Sequence, residues 1–349
     1  MTPVVSGRAL RTPGERIALR VLPRALLVCA VLAAVLAVTA VIGLVMGDFD
    51  VPLADVLAAL RGEATGRARF IVTGLRLPRL LVAMFVGAAL GVAGAIFQGL
   101  SRNPLGSPDI IGFTAGSATG ALLVLLVGGG GAGAIAIGAV LGGFVAALLV
   151  YLLSYRRGVS GFRLILVGIG VSAMLGGVNA FLVTRAQLRD AQAAQLWLTG
   201  SVNGRGWDHV TLIGLTVLLL LPIAVLLGRA LPQLELGDEV ARARGLAVER
   251  SRALLMLVGI GLTAVATAVA GPIAFVALAA PQIARRLTRT PGPGLVPAAL
   301  TGAALLTVGD VAAQRIFSPV PIPVGVATAA IGGIYLAWLL ARQWRSGRG

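Results

Sequence analysis

Long uncharged runs separated by short Arg-bearing segments set the pattern of this chain. Residues 25–47 carry 23 positions without a charge, enough to cross about 30 Å of hydrocarbon and longer than a signal-peptide core. Residues 80–100 form a second such run. Residues 110–155 are uncharged throughout but interrupted by the glycines at 128–131, which reads as two spans folded at a turn. Residues 164–184 and 210–228 supply a fifth and a sixth. The stretch 253–284 would make a helix of about 48 Å, too long for one crossing without heavy tilt. Gly271-Pro272 inside it favours a break. Arg residues flank it on both sides (Arg242, Arg244, Arg250 and Arg252 before, Arg285, Arg286 and Arg289 after). If Arg-rich loops stay cytoplasmic, both ends lie inside and the stretch is a hairpin of two short spans. Residues 295–314 and 322–341, hinged around Pro319, Pro321 and Pro323, complete the set.

The pattern therefore predicts an all-α polytopic membrane protein with ten transmembrane helices and both termini cytoplasmic. Residues 1–24 form a basic cytoplasmic tail, residues 25–341 the ten-helix domain with a cytoplasmic loop at 234–252, and residues 342–349 a second tail. Of the 29 basic residues, twenty then lie inside and nine outside, as the positive-inside rule requires. Trp197 and Trp207 fall at outer ends, Trp338 and Trp344 near the inner surface. No loop exceeds about 30 residues, so no separate soluble domain is expected.

Composition agrees: 349 residues, 58% hydrophobic, 12% charged and a mean hydropathy of +0.96, where a soluble domain carries about twice that share of charge. All 29 basic residues are Arg, so no GxxxxGK[ST] phosphate loop exists. One His (His209) and one Cys (Cys29) cannot make a zinc cage, a haem pair or a disulfide. The net charge of +16 reads as topology signalling and not as a nucleic-acid footprint.

Four segments carry more specific information. Arg76-Leu77-Pro78-Arg79 opens the second span, which continues through Gly87, Gly91 and Gly94 to Gln98 and ends in Arg102-Asn103-Pro104-Leu105-Gly106-Ser107-Pro108-Asp109. The glycines share a face that lets another helix approach closely, and Asp109 is placed to cap the third helix. Leu236-Gly237-Asp238-Glu239-Val240-Ala241-Arg242-Ala243-Arg244-Gly245-Leu246 follows the sixth span. Gly271-Pro272-Ile273-Ala274-Phe275 leads to Pro281-Gln282, and Pro323-Val324-Gly325 opens the last span. Over residues 50–341 this order and spacing resembles the FecCD family, the permease subunits of ABC importers for iron–siderophores, which includes the vitamin B12 importer permease. The Pro281-Gln282-Ile283-Ala284-Arg285-Arg286 ending looks most like permeases for ferric enterobactin and similar catecholates.

That resemblance implies a vitamin B12 importer permease-like fold of the type II ABC importer class, at the cytoplasmic membrane. Two permease subunits, identical or different, would be driven by separate ABC ATPase subunits that bind ATP and Mg; this chain would hold no cofactor or metal and catalyse nothing. Arg76 and Arg79 match positions that dock an extracytoplasmic siderophore-binding protein, and Arg315 is the basic residue nearest a third such position, although lone interfacial Arg would also snorkel to headgroups. The family's third basic position falls on Gln314, one residue before Arg315, and its Glu before the last span is Pro321. Asn103 and Leu105, with Ser160 and Gly161, match the cytoplasmic gate. Leu236, Gly237, Asp238, Glu239, Ala241, Arg242, Gly245 and Leu246 match the loop that contacts the ATPase. Span five, with Gly168, Gly170, Ser172, Gly176, Gly177 and Asn179, offers a small, mainly apolar lining for passage of a ferric siderophore.

Rival readings rest on few residues. An ion-coupled secondary transporter needs intramembrane charge, and Asp310 alone is available for a proton relay; Gln314 and Arg315 are its nearby structural partners. An intramembrane prenyl or phosphate transferase needs clustered Asp for metal ions. A same-family permease for haem or a corrinoid stays open.

Overall fold

The structure, a computed structural model, describes residues 8–11, 18–47, 49–128, 130–155, 161–290, 292, 294–316 and 322–346. Two short strands, β1 (Arg8–Arg11) and β2 (Ala18–Val21), pair antiparallel with Arg8 opposite Val21. The hairpin precedes the first helix, and the expected all-helical membrane-type fold follows it. Among the described residues after it the regular elements are all helices, because backbone groups surrounded by lipid must bond within their own segment.

The helices are α1 (Pro23–Val45), α2 (Leu53–Leu60), α3 (Gly66–Arg69), α4 (Leu77–Ser101), α5 (Phe113–Leu123), α6 (Ala132–Ser154), α7 (Gly161–Arg185), α8 (Leu188–Leu198), α9 (Trp207–Leu227), α10 (Leu231–Glu235), α11 (Asp238–Ala243), α12 (Val248–Ala270), α13 (Val276–Thr288), α14 (Leu295–Ile316) and α15 (Val324–Ser346). A π-helical turn, Phe70–Arg76, joins α3 to α4 without a break, and a second, Val124–Gly128, extends α5. Among the described residues seven helices are long and apolar enough to cross a membrane: α1, the continuous segment Gly66–Ser101, α6, α7, α9 with its continuation, α12 and α14. The segments Phe113–Gly128 and Val324–Tyr335 are apolar but shorter.

Burial sorts them. The segment containing α4 and also α12 are mostly buried, whereas α1, α7 and α9 turn most of their apolar surface outward. Such all-round apolar helices suit lipid or a partner. Helix α4 sits centrally, packed against α14, α12, α13 and α9. Its glycine face is the reason. A Cβ at Gly94 would lie 2.6 Å from the carbonyl carbon of Ala277 in α13, and one at Gly87 would lie 2.8 Å from Cα of Ala303 in α14. Backbone meets backbone here, so helix packing accounts for the glycine spacing.

The 253–284 stretch breaks where expected. Gly271 has φ +74°, and a Cβ there would lie 2.5 Å from the Trp197 carbonyl oxygen. The halves are unequal, however: α12 is a full 23 residues and starts at Val248, while α13 has 13. The third span also starts later than expected, at Phe113, because residues 102–112 form a folded turn. Two helices were not foreseen, α2 and α8. Both are too short to register as apolar runs, and α8 mixes Arg189, Asp190 and Gln residues with Leu and Trp.

Candidate functional site

At one end of the molecule the π turn aims Arg76 and Arg79 in different directions. Arg76 Nη1 donates to the carbonyls of Leu44 (2.7 Å) and Val45 (3.1 Å), and Nη2 to that of Phe49. It thereby serves the end of α1, whose last carbonyls have no partner within the helix and carry negative partial charge. Arg79 grips Asp310 of α14 with two hydrogen bonds of 2.8 Å, Nε to Oδ2 and Nη2 to Oδ1, and its Nη1 donates to Asn203 Oδ1 at 3.0 Å. Gln314 Nε2 donates to Asp310 Oδ2 at 2.9 Å. Asp310 is 3% exposed. Its charge is thus matched by a bidentate guanidinium and an amide, as burial of a carboxylate demands. The spacing of Gln314 to Asp310 was legible in sequence. The decisive partner, 231 residues away, was not, and Arg315 is exposed rather than engaged in this cluster.

Arg76, Arg79 and Arg315 nonetheless line one depression of about 550 Å³, together with Asn203, Arg205 and Gln314. Arg205 had no sequence signal: it stands alone in a Gly-rich turn before α9, and tertiary packing alone brings it to the others.

The span-five residues fall on two sides of α7. On α7, Gly168 faces Ile111, where a Cβ would lie 2.7 Å from its Cα. Ser172 borders Gly112. Asn179 is buried, accepting from Thr119 Oγ1 at 2.7 Å and donating to the Ala115 carbonyl at 3.4 Å. Gly168, Ser172 and Asn179 therefore sit on the side of α7 packed against α5 and the turn before it. The open side carries Gly170, Gly176 and Gly177, where added Cβ atoms would meet nothing.

A cavity of about 630 Å³ lies where the end of α8, the α12–α13 turn and the start of α15 meet, lined by Thr199, Pro272, Ala274, Gly325, Thr114 and Asp109 among others. Gly325 N–H donates to the Gly200 carbonyl at 3.0 Å, and Ser201 N–H to that of Ala270 at 2.7 Å, locking these ends together. Asp109 accepts from Thr114 Oγ1 at 2.8 Å. No side chain caps α5, which corrects the capping role expected of Asp109.

At the opposite end α4 stops at Arg102 in the left-handed conformation, φ +53°. Asn103 Oδ1 then accepts from Leu105 N–H at 2.9 Å, forming a tight Asx turn. Gln282 Nε2 of α13 donates to the Pro104 carbonyl at 2.9 Å. Gly161 reaches the same place: a Cβ on it would lie 2.7 Å from Cα of Ser101. Asn103, Leu105 and Gly161 are thus neighbours; Ser160 lies outside the described residues. Gln282 was quoted only as part of a motif, and its hold on the turn is new.

The 234–252 loop folds as α10, the short helix α11 and the first turn of α12. Leu236, Glu239 and Arg242 are exposed on its surface, whereas Ala241 is fully buried. Gly237 (φ +114°) and Gly245 (φ +81°) sit at the two ends of α11, in conformations that favour glycine. Gly245 N–H donates to the Arg242 carbonyl at 2.9 Å and Leu246 N–H to that of Ala241 at 3.0 Å, closing the helix. Asp238 accepts from Arg252 Nη2 at 2.8 and 3.0 Å and from Arg102 Nη2. Burial alone would push its carboxyl up; the two guanidiniums outweigh that and hold it below the usual carboxylate range.

Residues 35–342 match the model of the FecCD transport family. The chain is 48% identical over 322 residues to the ferric enterobactin transport system permease protein FepG of Escherichia coli K12, covering 92% of this chain and 98% of that one. It is 39% identical to the achromobactin transport system permease protein CbrC of Dickeya dadantii 3937 (83% and 84% covered). It is 37% identical to the Fe(3+) dicitrate transport system permease protein FecD of Escherichia coli K12 (88% and 96%). Its fold superposes on a solved metal-chelate type ABC transporter in an inward-facing conformation with a TM-score of 0.80, 28% identity and coverage of 90% and 99%.

Proposed function

Since this chain belongs to the FecCD transport family, we propose that it is the permease subunit of an ABC importer that carries a ferric siderophore of the catecholate type across the cytoplasmic membrane. The observation that carries the substrate class is the end-to-end similarity to the ferric enterobactin permease. In this reading ten crossings are made by α1, α4, α5, α6, α7, α9, α12, α13, α14 and α15, with both termini cytoplasmic. The short α5 is lengthened by the π turn Val124–Gly128, and α13 is preceded by the Gly271–Phe275 turn. A second permease subunit covers the outward apolar side of α7 and α15, and the cavity beside Pro272 and Gly325 forms one wall of the shared path. A soluble siderophore-binding protein docks on the arginine-lined depression. Separate ATPase subunits engage α11, and their movement switches the path between outward-open and inward-open states.

The arrangement of charge favours this reading over ion coupling. A proton relay needs an intramembrane acid able to exchange its proton, and Asp310 is instead committed to Arg79 and Gln314. Iron travels inside its chelate, so the permease needs a permissive lining and not a metal site.

The test is uptake into proteoliposomes containing the assembled permease, ATPase and binding protein, with labelled ferric enterobactin, ferric dicitrate and a ferric hydroxamate offered in turn. ATP-dependent accumulation of the enterobactin complex well above the other two is expected. Accumulation of dicitrate or hydroxamate alone would refute the catecholate assignment, and uptake driven by a proton gradient without ATP would refute the importer class.

A further inference from the structure

Arg102 has no role in the reading above, yet three elements meet at its side chain. Its backbone caps the C-terminal end of α4, in a left-handed conformation that non-glycine residues rarely adopt. Its Nε donates to the Leu234 carbonyl of α10 at 2.8 Å, and its Nη2 pairs with Asp238, the first residue of α11. Asp238 is also held by Arg252 of α12, and Arg252 by Glu249 at 3.2 Å. Arg252 is almost wholly buried, so it anchors Asp238 to the body of the molecule, while Arg102 connects it to the turn. The next residue, Asn103, builds the turn that carries Leu105. On its other side the turn is tied by Gln282 to α13. The exit turn is therefore suspended between α13 and α11, and among the described residues the polar link on the α11 side is the Arg102 guanidinium.

Resting on the reading of α11 as the ATPase contact, we propose that Arg102 is a positioning residue that couples the ATPase-facing helix to the exit turn. A shift of α11 takes Asp238 and the Leu234 carbonyl with it. Because two of the donors on Arg102 are held in fixed directions by these acceptors, the planar guanidinium must follow, and the residue adjoining Asn103 moves with it. Rigid packing elsewhere in α4 leaves this end as the place where movement can be expressed.

Arg102 offers an unusually clean variant. Glycine is the preferred residue for a left-handed helix end, so Arg102→Gly removes the guanidinium while suiting the backbone. The experiment uses the full transporter in lipid, with Cys29→Ala and two reporters. Leu105→Cys reports exposure of the turn through its reaction rate with a membrane-impermeant maleimide, with and without ATP and vanadate. Ala243→Cys, at an exposed position of α11 and in a separate sample, reports cross-linking of α11 to the ATPase. In the Arg102 background, coupling of ordinary strength predicts a nucleotide-dependent change in the Leu105→Cys rate of about 5-fold or more. In Arg102→Gly this change should collapse, while thermal stability and the cross-link at position 243 are retained; Asp238→Asn, which leaves the guanidinium but weakens its anchor, should give an intermediate loss. An undiminished nucleotide response in Arg102→Gly would overturn the inference while leaving the importer reading intact. Absence of the cross-link in the Arg102 background would instead overturn the reading of α11, and the inference with it.

Discussion

Replacing Arg79 by Ala isolates the buried ion pair at the outer depression. The variant strands Asp310, 3% exposed, with Gln314 as its remaining side-chain donor among the described residues. Removing one partner of a buried pair costs about 3–5 kcal/mol, because the other charge stays desolvated. The lower end applies here: the Arg79 side chain is 17% exposed and borders the depression, so water can reach part of the vacated space. At about 2 °C per kcal/mol for a long chain, the apparent Tm should fall by roughly 6 °C. Unfolding of such a protein in detergent is commonly irreversible, so the half-life at a fixed temperature is the firmer readout. The double variant Arg79→Ala/Asp310→Ala should recover part of the loss, since it removes the stranded charge, giving a coupling of about 0.5–3 kcal/mol. An Arg79→Ala protein within about 0.5 kcal/mol of the parent, the range of ordinary surface changes, would refute the claim that this Arg is structural, and would return it to the docking role its position in the motif implies.

The remaining predictions concern docking and packing. Because Arg76 and Arg79 serve α1 and Asp310, the charge offered to a binding protein should come mainly from Arg205 and Arg315; their joint replacement by Glu should weaken binding-protein affinity for the permease in nanodiscs, with each exposed pair contributing about 0.2–1 kcal/mol. Wild-type affinity should fall as salt rises, and an Arg205→Glu/Arg315→Glu protein that binds as tightly as the parent at low salt would rule out this face. Gly94→Ala should cost about 1–3 kcal/mol or block assembly, because the new methyl meets the Ala277 backbone, which cannot rotate away. Gly133→Ala, in an open helical position, should be neutral or stabilising by up to about 1 kcal/mol; equal losses in folded yield for the two would contradict the close α4–α13 contact.

Much of this protein was legible one residue at a time. The apolar runs located the long helices to within a few residues, since a lipid-facing segment needs only enough uncharged length to declare itself. Gly87, Gly91 and Gly94 announced a close helix contact, and Gly271-Pro272 announced a break, because these are local backbone properties. The β hairpin, α2 and α8 escaped because they are short and of mixed polarity. Only the tertiary structure decided which partner each polar side chain takes. Arg76 and Arg79 read as twins three residues apart, yet the π turn sends one to the carbonyls of α1 and the other to Asp310. Gly168, Ser172 and Asn179 read as a path lining and pack on α5, since period alone gives a face but not what covers it. Arg102 and Asp238 read as parts of two separate motifs, 136 residues apart. Hydrophobic length is written along the chain; the satisfaction of a buried charge is a pairwise condition between distant positions, and it is met only when the helices have been packed.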